Sequence, residues 1–224
     1  MLTEITKDDP HGLDAIAEMH MELLEFGPMA GLGKRFVREI CYRGLLSTGY
    51  FRVVSVSIDQ RPAGFVAFTH KSKLFHEIGL RQSRLGLLKE LGLALLTDPR
   101  RLGALIESIK VLQTRRAEPE KSSSADGEVI CLAVRPEYLT GKFRREYKRR
   151  LSEELVVHAA RELKQQGVEE MRMIVDDDNK AVLFLYHALG AEFEAFKLGD
   201  RPSVIASFCI EELLQRFPAA EAKP

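Results

Sequence analysis

Two side chains that could act on a small ligand, the amide of Asn179 and the phenol of Tyr186, lie seven residues apart in a helical pattern. Seven residues turn through about 700° at 100° each, so both side chains project from nearly the same side of one helix. One amide and one phenol are therefore predicted to share a cleft. The apolar residues around them are expected to pack inward: Ala181, Phe184, Leu185 and Ala188. The alternative is an ordinary packed helix that Asn179 or Asp178 caps and Gly190 ends.

The segment from Asn179 to Phe193 resembles the distal half of the acyl-CoA-binding core of the GCN5-related N-acetyltransferases (GNAT), whose usual pattern is N-x-x-A-x-x-x-Y-x-x-x-G-F with one residue of slack. In this chain Ala191 and Glu192 separate the glycine from the phenylalanine. The resemblance implies that Asn179 faces the pantetheine arm of acetyl-CoA. It also implies that Tyr186 lies beside the thioester sulfur and protonates the departing CoA thiolate, although a tyrosine there also fits simple packing.

Composition places the chain among ordinary globular proteins. It has 224 residues, 45% of them hydrophobic and 29% charged, which suits one domain over residues 1–224. Lys plus Arg and Asp plus Glu are 33 each, so no net field attracts polyanions and nucleic-acid binding is disfavoured. No signal peptide and no long uncharged apolar segment is recognisable, so no transmembrane segment is expected.

The cysteines and histidines suggest no disulfide frame and no metal site. Cys41, Cys131 and Cys209 are odd in number and lie in apolar runs, which favours buried, reduced thiols and a cytoplasmic location. The histidines lack metal-ligand spacing, and the acidic run before Asn179 lacks the alternation of a calcium loop.

The periodicity predicts a mixed sheet. A short strand at 2–6, a helix opened by Asp8-Asp9-Pro10 and a second helix at 34–46 precede a hairpin of strands 52–58 and 63–70. After residue 127 come strands and helices in the order strand, helix, strand, helix, strand, strand: 128–134, a long helix ending at Gly167, 171–175, the Asn179 helix, 192–198 and 203–210. This order predicts an α+β mixed sheet with helices on both faces, as in the GNAT fold.

Residues 74–112 interrupt that order and are predicted to be a helical insertion. Two amphipathic helices meet at Asp98-Pro99, a cap followed by a favourable first-turn residue. The helices carry flanking arginines that could contact an anionic membrane surface: Arg81, Arg84, Arg100 and Arg101. Covering a core edge or a subunit interface, including that of a homodimer, is the alternative. Residues 113–127 are polar and Ser-rich and are predicted to be a flexible linker.

The strand E-V-I-C-L-A-V followed by Arg135-Pro136 also resembles GNAT proteins, in which a central strand parts from its neighbour and offers backbone groups to pantetheine. The resemblance assigns that role to Leu132, Ala133 and Val134. Glu128 opens the strand where many members carry a general base, acting directly or through water. A solvated glutamate at the end of a strand is the alternative.

The pyrophosphate loop departs from the family pattern Q/R-x-x-G-x-G/A. Counting back from Gly167, the loop falls on residues 147–152, where Arg150 and Ser152 replace the two glycines. Residues 142–150, K-F-R-R-E-Y-K-R-R, contain six basic residues in nine. Three interpretations stay open: Arg149 and Arg150 bind the phosphates with side chains, a helix begins near Gly141 with charges on its solvated face, or the cofactor site has decayed.

The resemblance therefore implies an N-acetyltransferase that moves an acetyl group from acetyl-CoA to an amine of a small molecule or sugar, by direct attack. Residues 13–46 and the inserted helices would shape acceptor choice. The alternative is a catalytically inactive GNAT-like binding or scaffold domain with a degenerate CoA site, and the missing glycines are its best support.

Overall fold

Seven strands form one mixed sheet in the computed structural model, which describes residues 1–24, 29–72, 92, 101–116 and 126–218. The sheet order is β1-β2-β3-β4-β5-β7-β6, and β4–β5 is the parallel pair among otherwise antiparallel neighbours. The strands are β1 Leu2–Ile5, β2 Phe51–Ile58, β3 Arg61–Thr69, β4 Gly127–Val134, β5 Glu170–Asp176, β6 Glu192–Leu198 and β7 Arg201–Cys209.

The described helices connect and cover these strands. The second of them, α2, continues directly as a π-helix at Val37–Gly44, and a single 3-10 turn at Ala30–Leu32 precedes it. The helices are α1 Pro10–Leu23, α2 Lys34–Phe36, α3 Arg101–Arg116, α4 Gly141–Tyr147, α5 Leu151–Gln165, α6 Lys180–Leu189 and α7 Ile210–Arg216. Helix α1 begins where Asp8-Asp9-Pro10 predicts it, and Asp9 caps it, because its Oδ1 accepts the Gly12 N–H at 2.9 Å.

Both faces of the sheet are covered, which confirms the predicted mixed sheet with helices on each side. On one face, α5 packs through Leu155, Ala159 and Leu163 against β2, β3 and β4, and residues of α6 and α7 join the same core. On the other face, α1 packs through Leu13, Ile16 and Ala17 with the π-helix. Side chains of β2 and β3 pack alternately into the two cores, since neighbouring side chains on a strand point to opposite faces.

The predicted long helix before Gly167 is wrong in one respect, because the chain breaks it in two. Helix α4 ends at Tyr147, and Lys148 takes a left-handed conformation with φ of 55°. A residue in that conformation ends a helix, so α5 must start anew at Leu151. Apolar residues recur at every fourth position through both helices. The periodicity therefore gives no sign of the break between α4 and α5.

The predicted linker at 113–127 is also wrong at both ends. Helix α3 continues to Arg116, and β4 already begins at Gly127. The buried Gly127 lies against Val168 and Leu163, which leaves no space for a Cβ atom. Residues 117–125 lie outside the described residues, as do Asp98, Pro99 and most of the predicted insertion with Arg81, Arg84 and Arg100.

None of the helices in the described part of the chain combines the length and the apolar character needed to cross a bilayer.

Candidate functional site

Strands β4 and β5 run side by side for only three residues and then part. Gly127, Glu128 and Val129 pair with Met171, Arg172 and Met173 in the described strands. Beyond that point β4 stays paired with β3 from Cys131 to Val134, and β5 stays paired with β7 through Asp176. Each strand follows its outer neighbour, so a slot opens between their carboxyl-terminal halves. The predicted parting of the two strands is confirmed.

The open half of β4 contains three residues that the sequence assigns to cofactor binding, Leu132, Ala133 and Val134. Ala133 is buried toward α1, whereas Leu132 and Val134 are half-buried on the α5 side. Their backbone pairs with β3 on one side and faces the slot on the other. This geometry is that of a strand edge able to bond an extended ligand.

Tyr186 lies inside the core on the α5 side of the sheet rather than on an exposed helix face. It is 4% exposed and meets Phe208 edge to face, with ring centroids 5.8 Å apart. Burial raises the pKa of its phenol well above the usual range, and nearby Cys131 of the open half of β4 adds to the effect. The raised pKa keeps the phenol protonated at neutral pH and makes it a weaker acid than a free tyrosine.

The prediction of the inward face of α6 is wrong for three of its four residues. Phe184 is 75% exposed, and Ala181 and Ala188 are exposed as well. The face that packs on the sheet instead carries Tyr186 and Leu189, with Val182 and Leu185 beside them. The helix turns this way because Tyr186 itself occupies the core, so it does not share a solvent-facing side with Asn179.

Asn179 caps α6, as the simpler interpretation of the motif expects. Its Oδ1 accepts the Val182 N–H at 3.3 Å, and Gly190 ends the helix at a φ of 90°. The Asn179 side chain is exposed at the end of the loop that follows β5. A role toward pantetheine stays a prediction.

Glu128 lies at the closed end of the slot and is fully buried. Its Oε2 accepts from Nη2 and Nε of Arg172 at 3.1 and 3.3 Å, and Arg172 is 4% exposed. The two residues are direct partners in the parallel register. The alternative of a solvated glutamate is therefore wrong, and the catalytic role stays a prediction.

Sequence reasoning missed Arg172 as the partner of Glu128. The sequence contained the signal. Arg172 lies between Met171 and Met173 in a predicted apolar strand, and Glu128 opens another predicted strand. A buried charge almost always has a partner, so two such strands predict an ion pair when they lie side by side.

Arg149 and Arg150 lie at the start of α5, and both form ion pairs with acidic side chains of its first turn. Nη2 of Arg149 lies 2.6 Å from Oε2 of Glu154, and Nη1 of Arg150 lies 2.8 Å from Oε1 of Glu153. The pairing with Glu153 raises the pKa of Arg150. Ser152, half-buried, is the second residue of the helix. Glu154 and Glu153 thus pair with the two cations that one of the three interpretations assigns to the phosphates.

The other face of β4 carries a buried polar cluster. His20 Nδ1 lies 2.8 Å from the Tyr42 hydroxyl, and both side chains are almost fully buried. Burial lowers the pKa of His20 to about 4 and raises that of Cys41 to about 12. Burial, with Cys131 and Cys41 nearby, raises the pKa of Tyr42 far above its usual range. The three cysteines are free thiols. Cys41 and Cys131 are half-buried and Cys209 is exposed, so the prediction that all three are buried is wrong.

Comparison with known proteins gives structural similarity without sequence similarity. No protein-family model matches the chain, and no curated protein matches it at a significant level. A solved structure described as an acetyltransferase aligns with a TM-score of 0.58 at 14% identity, covering 94% of this chain and 99% of its own.

Two further solved structures align over similar lengths. Ribosomal-protein-alanine N-acetyltransferase from Brucella melitensis has a TM-score of 0.55 at 10% identity, with 93% of this chain and 99% of that chain covered. PaiA N-acetyltransferase from Thermoplasma acidophilum, solved in complex with coenzyme A, has a TM-score of 0.52 at 13% identity and the same coverage. Identities this low carry information on the fold alone.

Proposed function

We propose that this chain, which has the GNAT fold, is an acetyl-CoA-dependent N-acetyltransferase that acetylates an amine of a small molecule or sugar. One observation carries the proposal: β4 and β5 part after three residue pairs, so the backbone edge of the open half of β4 faces a slot. Such a slot can hold an extended ligand arm by its backbone edges. The phenol of Tyr186, in the core on the α5 side, is the proposed proton donor.

In the proposed reaction the amine nitrogen attacks the thioester carbon directly. A C–N bond forms, the C–S bond breaks, the nitrogen loses a proton, and the departing thiolate takes a proton from Tyr186. Glu128 is the proposed base. Because Arg172 holds its carboxylate at the closed end of the slot, we infer that it acts through a water molecule rather than by direct contact.

The proposed co-substrate fits the site unevenly. The open half of β4 suits a pantetheine arm, whereas the start of α5 is already neutralised by two carboxylates. Binding a diphosphate there requires Arg149 and Arg150 to leave Glu154 and Glu153, or the phosphates to use the exposed Lys148. Exchange of one anionic partner for another costs little for the exposed Arg150, whereas Arg149 is half-buried.

The same ion pairs favour the second candidate, a GNAT-like binding domain that no longer transfers acyl groups. In that case the arginines are surface charges paired with the helix that follows, and the slot takes no nucleotide. The glycines that would bring backbone N–H groups to the phosphates are absent at positions 150 and 152.

A thermal shift experiment separates the two candidates. Acetyl-CoA at about 100 times its dissociation constant should stabilise the transferase by about 2.7 kcal/mol. ATP serves as the control for unspecific binding of a polyanion to residues 142–150. Release of free CoA thiol in the presence of an amine panel then tests catalysis. Absence of a shift with acetyl-CoA and longer acyl-CoA supports the binding domain and rejects the transferase.

A further inference from the structure

Helix α4 lies at the end of the sheet at which the slot opens. The carboxyl end of β4 leads into it through one helical turn at Pro136–Tyr138. The hydroxyl of Tyr147 donates to Oδ2 of Asp59 at 3.2 Å, and Asp59 belongs to the β2–β3 turn. That turn lies at the same end of the sheet, because Gly64 near the start of β3 pairs with Val134 at the end of β4. Chain connection and side-chain contact thus both place α4 beside the carboxyl end of β4.

Helix α4 and the residue that ends it carry an excess of positive charge. Residues 141–148 contain four cations and one carboxylate, in a chain whose net charge is zero. Within the described ranges, no carboxylate forms an ion pair with these cations, whereas Arg149 and Arg150 are paired. A local excess of this sign attracts a partner of negative charge. The four cations are exposed: Lys142, Arg144, Arg145 and Lys148.

The slot and its surroundings offer a place for a pantetheine arm and a poor one for the nucleotide of CoA. The backbone edge of the open half of β4 can bond an extended arm. A diphosphate needs backbone N–H groups that approach closely, but positions 150 and 152 carry side chains in place of glycines. Glu153 and Glu154 also place two carboxylates in the first turn of α5. A donor that has the arm but no nucleotide therefore fits better than CoA.

We propose that an acidic carrier protein delivers the acyl group, which it holds as a thioester on a phosphopantetheine arm, and that this protein docks on the cations of α4. Such an arm is joined to its protein by a phosphodiester, so it lacks the diphosphate and the further phosphate of CoA. The proposal rests on the transferase function, because it names the partner that supplies the acyl group to the same slot. Acetyl-CoA shares the arm and remains a weaker donor.

The transfer step needs no further reagent. The amine nitrogen bonds to the acyl carbon, and the C–S bond to the arm breaks. The nitrogen loses a proton, and the carrier protein leaves with a free thiol. Attraction between α4 and an acidic surface speeds the encounter and weakens as salt rises. A nucleic acid fits less well, because the chain has no net positive charge and the adjoining slot suits a narrow arm.

Transfer kinetics with two donors test the proposal. The donors are a purified acyl carrier protein with an acetylated arm and acetyl-CoA, each with the same amine panel. At low salt, kcat/KM for the carrier protein should exceed that for acetyl-CoA by roughly tenfold or more, and this advantage should shrink as NaCl is added. If acetyl-CoA is the better donor, the docking is overturned and the transferase stands. Transfer from neither donor rejects both proposals.

Arg144→Glu combined with Arg145→Glu reverses the charge of α4 at two exposed side chains. This variant should lower kcat/KM for the carrier protein by roughly tenfold or more and leave kcat/KM for acetyl-CoA unchanged. Lys7→Glu combined with Lys164→Glu is the matched control, because it makes the same change of charge at exposed positions outside α4. Equal losses with both donors would assign the cations to the phosphates of CoA and overturn the docking. An equal loss in the control would overturn it as well.

Calorimetric titration measures the docking without turnover. The carrier protein without its arm should bind the wild type, and the arm should tighten binding because it adds contacts in the slot. The α4 variant should bind both forms at least roughly tenfold more weakly than the wild type does. Single-stranded poly-uridylate is the competing probe. If it binds and neither form of the carrier protein does, the cations form a nucleic-acid site and the proposal is overturned.

Discussion

Tyr186 combines two properties at the scale of a single residue: a place in the core and a hydroxyl group that could donate a proton. Its ring packs against Phe208, and burial raises the pKa of its phenol. Packing explains the ring, whereas only the hydroxyl could serve in proton transfer.

Tyr186→Phe separates these contributions, because the ring and its packing remain. We expect kcat for acetyl transfer to fall by roughly 100-fold or more, the usual contribution of a positioned acid. The acetyl-CoA dissociation constant and the melting temperature should change little. Steady-state kinetics with a thermal shift control provide the measurement, and equal turnover would remove Tyr186 from the mechanism.

His20 makes stability depend on pH. Burial lowers its pKa to about 4, below the usual 6.5, so the unfolded chain binds the proton more readily than the folded chain. Stability should therefore fall as the pH drops from about 6.5 toward 4, by up to about 3 kcal/mol. His70 and His158 have pKa values lowered in the same direction.

Urea unfolding at several pH values between about 4.5 and 7.5 provides the measurement. His20→Asn is the matched variant, because it can keep a neutral polar partner for Tyr42 and does not titrate. Its unfolding free energy should change less with pH than that of the wild type. The same pH slope in both proteins would assign the effect to other groups.

At the scale of elements, Glu128 and Arg172 join β4 to β5 from inside the core. Removing one partner leaves the other charge buried and unpaired, which costs about 3–5 kcal/mol. We expect Arg172→Met to lower the unfolding free energy by that amount, and Glu128→Gln by a comparable one. Chemical denaturation measures both.

The same pair of variants shows whether Glu128 also acts as a base. Glu128→Gln should lower kcat at every pH if the carboxylate accepts the amine proton. Arg172→Met, which keeps the carboxylate, should then retain more activity than Glu128→Gln below the melting temperature. Equal losses in both would assign Glu128 a purely structural role.

The contact of α3 with the 3-10 turn depends on a missing side chain at Gly31. Gly31→Ala places a Cβ 2.5 Å from that of Ala104, so helix and turn must separate, at a cost of roughly 1–3 kcal/mol. Gly103→Ala is the matched control on the helix, and it should stabilise by roughly 0.5–1 kcal/mol because its Cβ meets open space. Equal changes in the unfolding free energy of Gly31→Ala and Gly103→Ala would contradict this contact.

At the scale of the whole molecule, the absence of net charge predicts weak repulsion between copies. Lys plus Arg equals Asp plus Glu at 33 each, and the isoelectric point is about 7.0. We expect the second virial coefficient from light scattering to be lowest near pH 7. Lys7→Glu, at an exposed position, should move that minimum to lower pH. A minimum that does not move would indicate a specific contact such as the predicted homodimer.

Much of this fold could be read from the sequence, because strands and helices leave different periods of apolar residues. The β2–β3 hairpin, β6 and the start of α1 follow from local patterns, and the mixed sheet with helices on both faces follows from the order of the elements. The break at Lys148 could not be read, since apolar residues continue at helical spacing through both α4 and α5. A left-handed residue other than glycine leaves no mark in a single sequence.

The candidate site was less predictable because its features depend on contacts between distant segments. The sequence placed Asn179 and Tyr186 on one helix but could not show that Tyr186 turns into the core. It marked Arg149 and Arg150 as cations without revealing that Glu154 and Glu153 hold them. Helix α3 contacts both the 3-10 turn at Ala30–Leu32 and the β6–β7 turn, and no periodicity encodes this meeting of three distant segments.

The short pairing of β4 with β5 divides the sheet into a four-stranded and a three-stranded block joined by a seam of three rungs. Each block keeps its own complete hydrogen-bond ladder, so a small rotation of one against the other disturbs only that seam and the helices that span it. Substitutions in the spanning helices can therefore widen or narrow the gap between the blocks while both ladders remain intact.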